Sequence, residues 1–266
     1  KGYAFTSTCD TEVVLRSYEA YGAKAVERFN GMFAIAAYDR REDCLTLVRD
    51  RLGIKPLYYT EANGALAFAS ELNALTRSGM ISGTLNRQAM TAYFQNLYIP
   101  APDTIFDSVY KPRPGEMIRY RGGHVESERY WMPEYSVDES WTMGSASERF
   151  MELFEDSIGL QQTSDVPLGA FLSGGLDSSS VVAMLAGASG RPVKTFSIGF
   201  DDEEANELKY AREVANFFET DHTEEIVRPD VVGLAESFPA HFGDSHVDRV
   251  GISTKIGYRV LIGGWR

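Results

Sequence analysis

The sequence predicts an α/β protein in two parts, an antiparallel β-rich α+β half followed by a parallel α/β half. Three observations predict it. Strand-length apolar runs crowd together between residues 32 and 69 with only turn residues between them, which leaves room for hairpins but not for crossover helices. From residue 147 helix-period and strand-period segments alternate, the pattern of a parallel sheet with helices on both faces. Between the two patterns lies a passage carrying Pro100, Pro102, Pro112 and Pro114, and then a polar segment, 131–144, that reads as a linker.

In the first half, Asp10 is placed to cap a helix whose Val14, Leu15, Tyr18 and Tyr21 fall on one stripe, and a short helical turn follows Gly22. Strands are expected over 32–38, 44–48, 57–59 and 66–69, parted by turns at 39–43 and 61–64. A hairpin is expected from 116–121 and 125–130, because Gly122-Gly123 supplies the positive φ of a tight turn. In the second half, helix 147–159 sets Phe150, Leu153, Phe154 and Ile158 on one face. Strand 166–172, a loop and helix over 173–186, strand 193–198, helix 207–218 and strand 223–227 follow it.

Composition narrows the function classes. An apolar share of 44% and a charged share of 24% are those of a soluble globular chain. No apolar run approaches the ~18 residues of a membrane span, and the N-terminal residues do not read as a signal peptide. The net charge of −12 argues against a nucleic-acid surface, since neutralising phosphates takes clustered Lys and Arg. Two cysteines, Cys9 and Cys44, have no metal-ligand spacing and fit a reducing, cytoplasmic setting.

The chemistry is carried by Ser173-Gly174-Gly175-Leu176-Asp177-Ser178, directly after an apolar strand and at the opening of a helix. In that context a glycine-rich segment becomes an anion site, because N–H groups of the first helical turn and the helix dipole face the ligand. Gly174 and Gly175 are expected to let the backbone approach phosphate oxygens, and Ser173, Ser178 and Ser179 to donate hydroxyl hydrogen bonds. A carboxylate beside pyrophosphate makes sense if Asp177 holds Mg2+ that bridges to phosphate oxygens. No Lys follows the glycines, so the loop is not the Walker type.

This loop resembles that of the PP-loop ATP pyrophosphatases. The residues around it, from Ser164-Asp165-Val166-Pro167-Leu168-Gly169 through Thr195-Phe196-Ser197-Ile198-Gly199-Phe200 to Thr220-Asp221-His222-Thr223-Glu224, resemble the glutamine-hydrolysing asparagine synthetase family. Asn30-Gly31-Met32-Phe33-Ala34, Arg49-Asp50-Arg51-Leu52-Gly53-Ile54-Lys55-Pro56-Leu57-Tyr58-Tyr59, Ala69-Ser70-Glu71 and Cys9-Asp10-Thr11-Glu12 resemble its class II glutamine amidotransferase domain.

The resemblance implies an Ntn-type glutaminase portion over 1–131, a linker over 132–146 and a PP-loop synthetase portion over 147–266. Residues 246–266 are without a match, and the chain as a whole reads as an internal piece of the longer enzyme. It implies ammonia released from glutamine and delivered to a β-aspartyl-AMP made from ATP and aspartate, giving asparagine. A different acceptor, as in a β-lactam synthetase, or a remnant that only binds nucleotide are the alternatives. By resemblance Asp10 binds the α-amino group of glutamine. Leu172 and Ile198 hold adenine through their backbone, Ser173, Gly174, Gly175, Leu176, Asp177 and Ser178 hold pyrophosphate, and Asp177 serves Mg2+. The family's nucleophile is an N-terminal cysteine, whereas position 1 is Lys, and neither Cys9 nor Cys44 lies in a matching segment. ATP and Mg2+ are the implied cofactors and small molecules the partners, with a homodimer as the candidate assembly of the intact enzyme.

Overall fold

A computed structural model of the chain describes residues 2–201 and 206–227. The expectations placed on the segment 241–245 and on the tail 246–266 lie outside these residues. The described chain divides between Tyr135 and Ser136 into two compact units.

The first unit holds two antiparallel sheets. Strands β1 (Ala34–Asp39), β2 (Cys44–Arg49), β6 (Glu116–Arg121) and β7 (His124–Arg129) form one in the order β1-β2-β6-β7. Strands β3 (Tyr58–Ala62), β4 (Ala65–Ala69) and β5 (Val109–Tyr110) form the other in the order β4-β3-β5. Alternation along β2 shows how they stack. Leu45 and Leu47 face a cluster with Leu57, Tyr59, Leu66, Ile118 and Val125, which joins the two sheets. Val48 faces the opposite way, onto Val26, Phe29 and Phe33 of the 3-10 helix Gly22–Arg28 and its flank. Beyond the second sheet, Leu72 and Leu75 of α2 (Leu72–Arg77) cover Tyr58 and Val109. The order of layers is therefore helix, sheet, sheet, helix. The β3–β4 and β6–β7 hairpins turn on two positive-φ residues, Asn63-Gly64 (55° and 72°) and Gly122-Gly123 (56° and 80°), the geometry whose twist matches antiparallel strands.

The second unit contains α4 (Met143–Gln161), β8 (Gly169–Phe171), α5 (Leu176–Ala188), β9 (Lys194–Phe200), α6 (Leu208–Phe217) and β10 (Asp221–Val227). The strands are parallel in the order β10-β9-β8. Val182 of α5 and Ala211 and Ala215 of α6 close on Ala170 and Leu172 in one cluster. Among the described residues, α5 and α6 share one face of this sheet.

Other corrections have local causes. Cys9, not Asp10, occupies the N-cap of α1 (Asp10–Tyr21), no residue of α1 is buried, and Tyr18 reaches the sheet only through its hydroxyl, 3.2 Å from Thr46 Oγ1. Strand β8 is shorter than expected because Pro167 has no N–H to lend a ladder and Val166 stays exposed. On α4 only Ile158 of the expected stripe is buried, and Phe150 stacks on Phe154 at 5.6 Å without being covered. Helices α2 and α3 (Arg87–Asn96) were not anticipated, although the Asn86 side chain caps α3 at Gln88 and Ala89. No helix among the described residues is long and apolar enough to cross a membrane.

Candidate active site in the parallel unit

The loop between β8 and α5 opens at the carboxyl ends of the parallel strands, where such sheets bind ligands. Leu172, the residue after β8, is 2% exposed. Its N–H donates to the Phe196 carbonyl at 2.9 Å, and its own carbonyl accepts from the Ser197 hydroxyl. Both backbone groups of Leu172 therefore have partners on β9.

The chain then reverses through Gly174 at φ 80°. A Cβ on Gly174 would stand 2.5 Å from the Ala211 nitrogen and from the Tyr210 carbonyl carbon, so this glycine is required by the close approach of α6 as well as by its φ. The open side of Gly174 thus faces α6. Gly175, with φ −72° and ψ 164°, is the residue whose missing side chain leaves room: a Cβ there would meet only Ser173 Oγ, at 3.3 Å.

Gly175 also occupies the N-cap of α5, and no side chain caps the helix, so the N–H groups of its first turn are left to the loop. The hydroxyls of Ser173 and Ser178 lie 3.0 Å apart, and Ser178 Oγ accepts from the Ser173 N–H at 3.2 Å. This pair ties the two ends of the loop together. Ser179 Oγ is buried and has no hydrogen-bond partner, so of the three expected hydroxyls it alone is turned inward. Asp177, in the first helical turn, is exposed. No group of three His, Cys, Asp or Glu able to hold a metal occurs among the described residues.

Beside the loop a cavity of about 260 Å3 is walled by Leu172 and Ser173 after β8, Phe196 and Ile198 from β9, and Leu208 and Ala211 from α6. Its volume is near the lower end of the ~300–1,000 Å3 of small-ligand sites. Leu172, Ser173 and Ile198 of the expected site line it, and Gly174, Gly175, Leu176, Asp177 and Ser178 continue from it along the loop. The wall supplied by α6 was not read from the sequence. Asn206 builds that wall: its side chain donates to the Phe200 carbonyl at 3.1 Å and accepts from the Leu208 N–H at 3.0 Å. The only sequence signal for this was an Asn just ahead of a helix.

In the first unit, Asp10 is exposed at the start of α1, where its carboxylate accepts from Thr11 Oγ1 at 3.4 Å and from Cys9 Sγ at 3.6 Å. The neighbouring Glu12 is the ordering group. It accepts from the hydroxyls and N–H groups of Ser7 and Thr6 at 2.6–3.1 Å, and those bonds, that of the Ser7 hydroxyl foremost, lower its pKa to about 2. The Arg49-to-Tyr59 segment folds as strand, turn and strand around the buried Asp50. Its carboxylate accepts N–H bonds from Leu52, Ile54 and Lys55 at 2.9–3.1 Å.

Comparison with known proteins gives two family matches. Residues 1–131 match the glutamine amidotransferase domain and 149–259 match asparagine synthase, the second running past residue 245, where the resemblance read from the sequence stops. An asparagine synthetase [glutamine-hydrolyzing] 1 of Bacillus subtilis is 31% identical over 95% of this chain and 40% of its own length. A putative asparagine synthetase [glutamine-hydrolyzing] 2 of Methanocaldococcus jannaschii is 33% identical over 80% of this chain and 42% of its own. Amidase chyE of Penicillium rubens is 31% identical over 89% of this chain and 37% of its own. The chain spans about two fifths of the length of these curated relatives.

Proposed function

We propose, from the premise that this chain belongs to the glutamine-hydrolysing asparagine synthetase family, that its parallel unit binds ATP and activates a carboxylate by adenylylation. The observation that carries the reading is the uncapped start of α5 behind the Gly174 turn, beside an open cavity lined by Leu172 and Ile198. The parallel unit is read as the PP-loop portion, 147–266, and the antiparallel unit as the Ntn-type glutaminase portion, 1–131, with 132–146 as the linker.

Adenine occupies the cavity against Leu172 and Ile198, with the Leu172 carbonyl and the Ile198 backbone as its polar contacts. Ser173, Gly174, Gly175, Leu176, Asp177 and Ser178 surround the β- and γ-phosphates. Asp177 holds Mg2+, which when bound neutralises charge on the leaving pyrophosphate. A carboxylate oxygen of aspartate attacks the α-phosphorus, the α–β anhydride bond breaks, and pyrophosphate departs with its electron pair into the N–H groups of α5. Ammonia then attacks the β-aspartyl carbon, AMP leaves, and loss of a proton gives the amide of asparagine. Ammonia comes from glutamine, whose α-amino group Asp10 recognises. Neither Cys9 nor Cys44 is assigned as the nucleophile of that hydrolysis. The setting is cytoplasmic and the intact enzyme a homodimer.

A second reading, an amidotransferase with another acceptor, is favoured by the match to a protein named an amidase at the same 31% identity. Isotope exchange between pyrophosphate and ATP separates the two. Exchange that requires aspartate supports asparagine formation, exchange that requires a different acid supports the second reading, and exchange indifferent to any acid contradicts both.

A further inference from the structure

The wall supplied by α6 is held in an unusual way. Its buried face is Leu208, Ala211 and Ala215, so two of three anchors are methyl groups, which bring the helix close but bury little area. The grip comes from a polar chain on the adjoining strands. Arg212 donates to Glu224 of β10 through Nε at 3.0 Å and Nη2 at 2.6 Å, a bidentate pair. His222 Nε2 stands 3.3 Å from the same carboxylate, close enough for attraction though not aligned as a hydrogen bond. On its other side, His222 Nδ1 lies 2.8 Å from Thr195 Oγ1 of β9, and that hydroxyl is 2.7 Å from Thr220 Oγ1. Burial pushes the imidazole pKa below its usual 6.5, so the ring is neutral at pH 7. With Nε2–H towards Glu224, Nδ1 accepts from Thr195.

Arg212 follows Ala211 directly, and the Tyr210–Ala211 peptide is the one against which Gly174 packs. Any displacement of this turn of α6 is transmitted to the loop by contact. An exposed ion pair on its own contributes little to stability; this one matters because it is bidentate, continues into His222 and Thr195, and sits one residue from the contact with the loop.

We propose that Arg212, Glu224, His222 and Thr195 are positioning residues for the phosphate loop, fixing α6 on the sheet so that Gly174 and Gly175 keep the geometry that receives pyrophosphate. This rests on the reading of that loop as the pyrophosphate site. The test is the Kd for Mg·pyrophosphate by calorimetry, together with the ligand-free amide resonances of Gly174 and Gly175. Variants Arg212→Ala, Arg212→Lys and Glu224→Gln are compared with Lys194→Ala, which removes another exposed pair between β9 and β10, Lys194–Asp221 at 2.9 Å. Expected are a roughly tenfold or greater rise in Kd and moved glycine resonances in Arg212→Ala, the same direction in Glu224→Gln, and partial recovery in Arg212→Lys, with Lys194→Ala like wild type. Unchanged Kd and resonances in Arg212→Ala and Glu224→Gln, or equal losses in Lys194→Ala, would overturn the positioning role while leaving the pyrophosphate site standing. A wild-type chain that binds no Mg·pyrophosphate would overturn the site and the positioning role together.

Discussion

Replacing Gly174 by Ala strikes the loop at its most constrained point. Two costs add. A residue with a side chain at φ 80° loses about 1–2 kcal/mol to the left-handed conformation. A Cβ placed 2.5 Å from two backbone atoms of α6 cannot be accommodated by a side-chain rotation, so helix or loop must move, at a cost of about 1–3 kcal/mol. The expected loss is therefore about 2–5 kcal/mol in the stability of the parallel unit. Because the same shift displaces the first turn of α5, ATP affinity should fall at least about tenfold, the equivalent of ~1.4 kcal/mol. Gly175→Ala is the matched control. Its φ of −72° is open to any residue, and its Cβ would meet only a hydroxyl at 3.3 Å, so stability should change by less than about 1 kcal/mol. Its affinity for pyrophosphate should nevertheless drop, since the new methyl stands where the ligand approaches. Urea unfolding and calorimetry on both variants are the assays. Equal stability of Gly174→Ala and Gly175→Ala would refute the packing argument, and unimpaired ATP binding by Gly174→Ala would refute its link to the site.

Three further outcomes are expected. Asp177→Ala should weaken the magnesium-dependent part of pyrophosphate binding and leave the metal-free part, as titrations with and without Mg2+ would reveal. The Glu12 carboxyl should titrate near about 2 by NMR, and Ser7→Ala should return it towards 4.5. Because its folded pKa is depressed, its contribution is full above pH 4.5 and is lost as pH falls towards about 2, so the stability difference between the two forms should be largest above pH 4.5 and shrink through that window. His222 is likewise depressed, chiefly by burial, so the native state binds fewer protons than the unfolded chain just below pH 6.5. Stability of the parallel unit should fall as pH drops from 7.5 to 5.5, and His222→Gln should remove that part of the slope.

Much of this was legible because short-range rules decide it. Gly122-Gly123 and the alternation of Leu45 and Leu47 against Thr46 and Val48 give the hairpin and both faces of β2 without knowledge of the rest of the chain. The loop was legible because strand, glycines and helix are contiguous. What escaped depended on distant partners. The reason for glycine at 174 is the backbone of Ala211, 37 positions along the chain, and nothing near Gly174 announces it. Helix α3 was hidden by the prolines that follow it, and the anchoring of α6 rests on a pairing between Arg212 and Glu224 that only the register of β10 creates. The stripe expected on α4 buries only Ile158, because a periodic pattern does not say what covers it.

The central claim is that the segment from Ser173 to Ser178 receives the pyrophosphate of ATP, and amide NMR tests it most directly. Titration with Mg·pyrophosphate, then with Mg·ATP, should shift the N–H resonances of Gly174, Gly175, Leu176 and Asp177 saturably with both ligands. Ile198 should respond to ATP alone, because only adenine reaches the cavity. Saturable shifts confined to residues away from this loop, or none at millimolar ligand with the unit folded, would contradict the account.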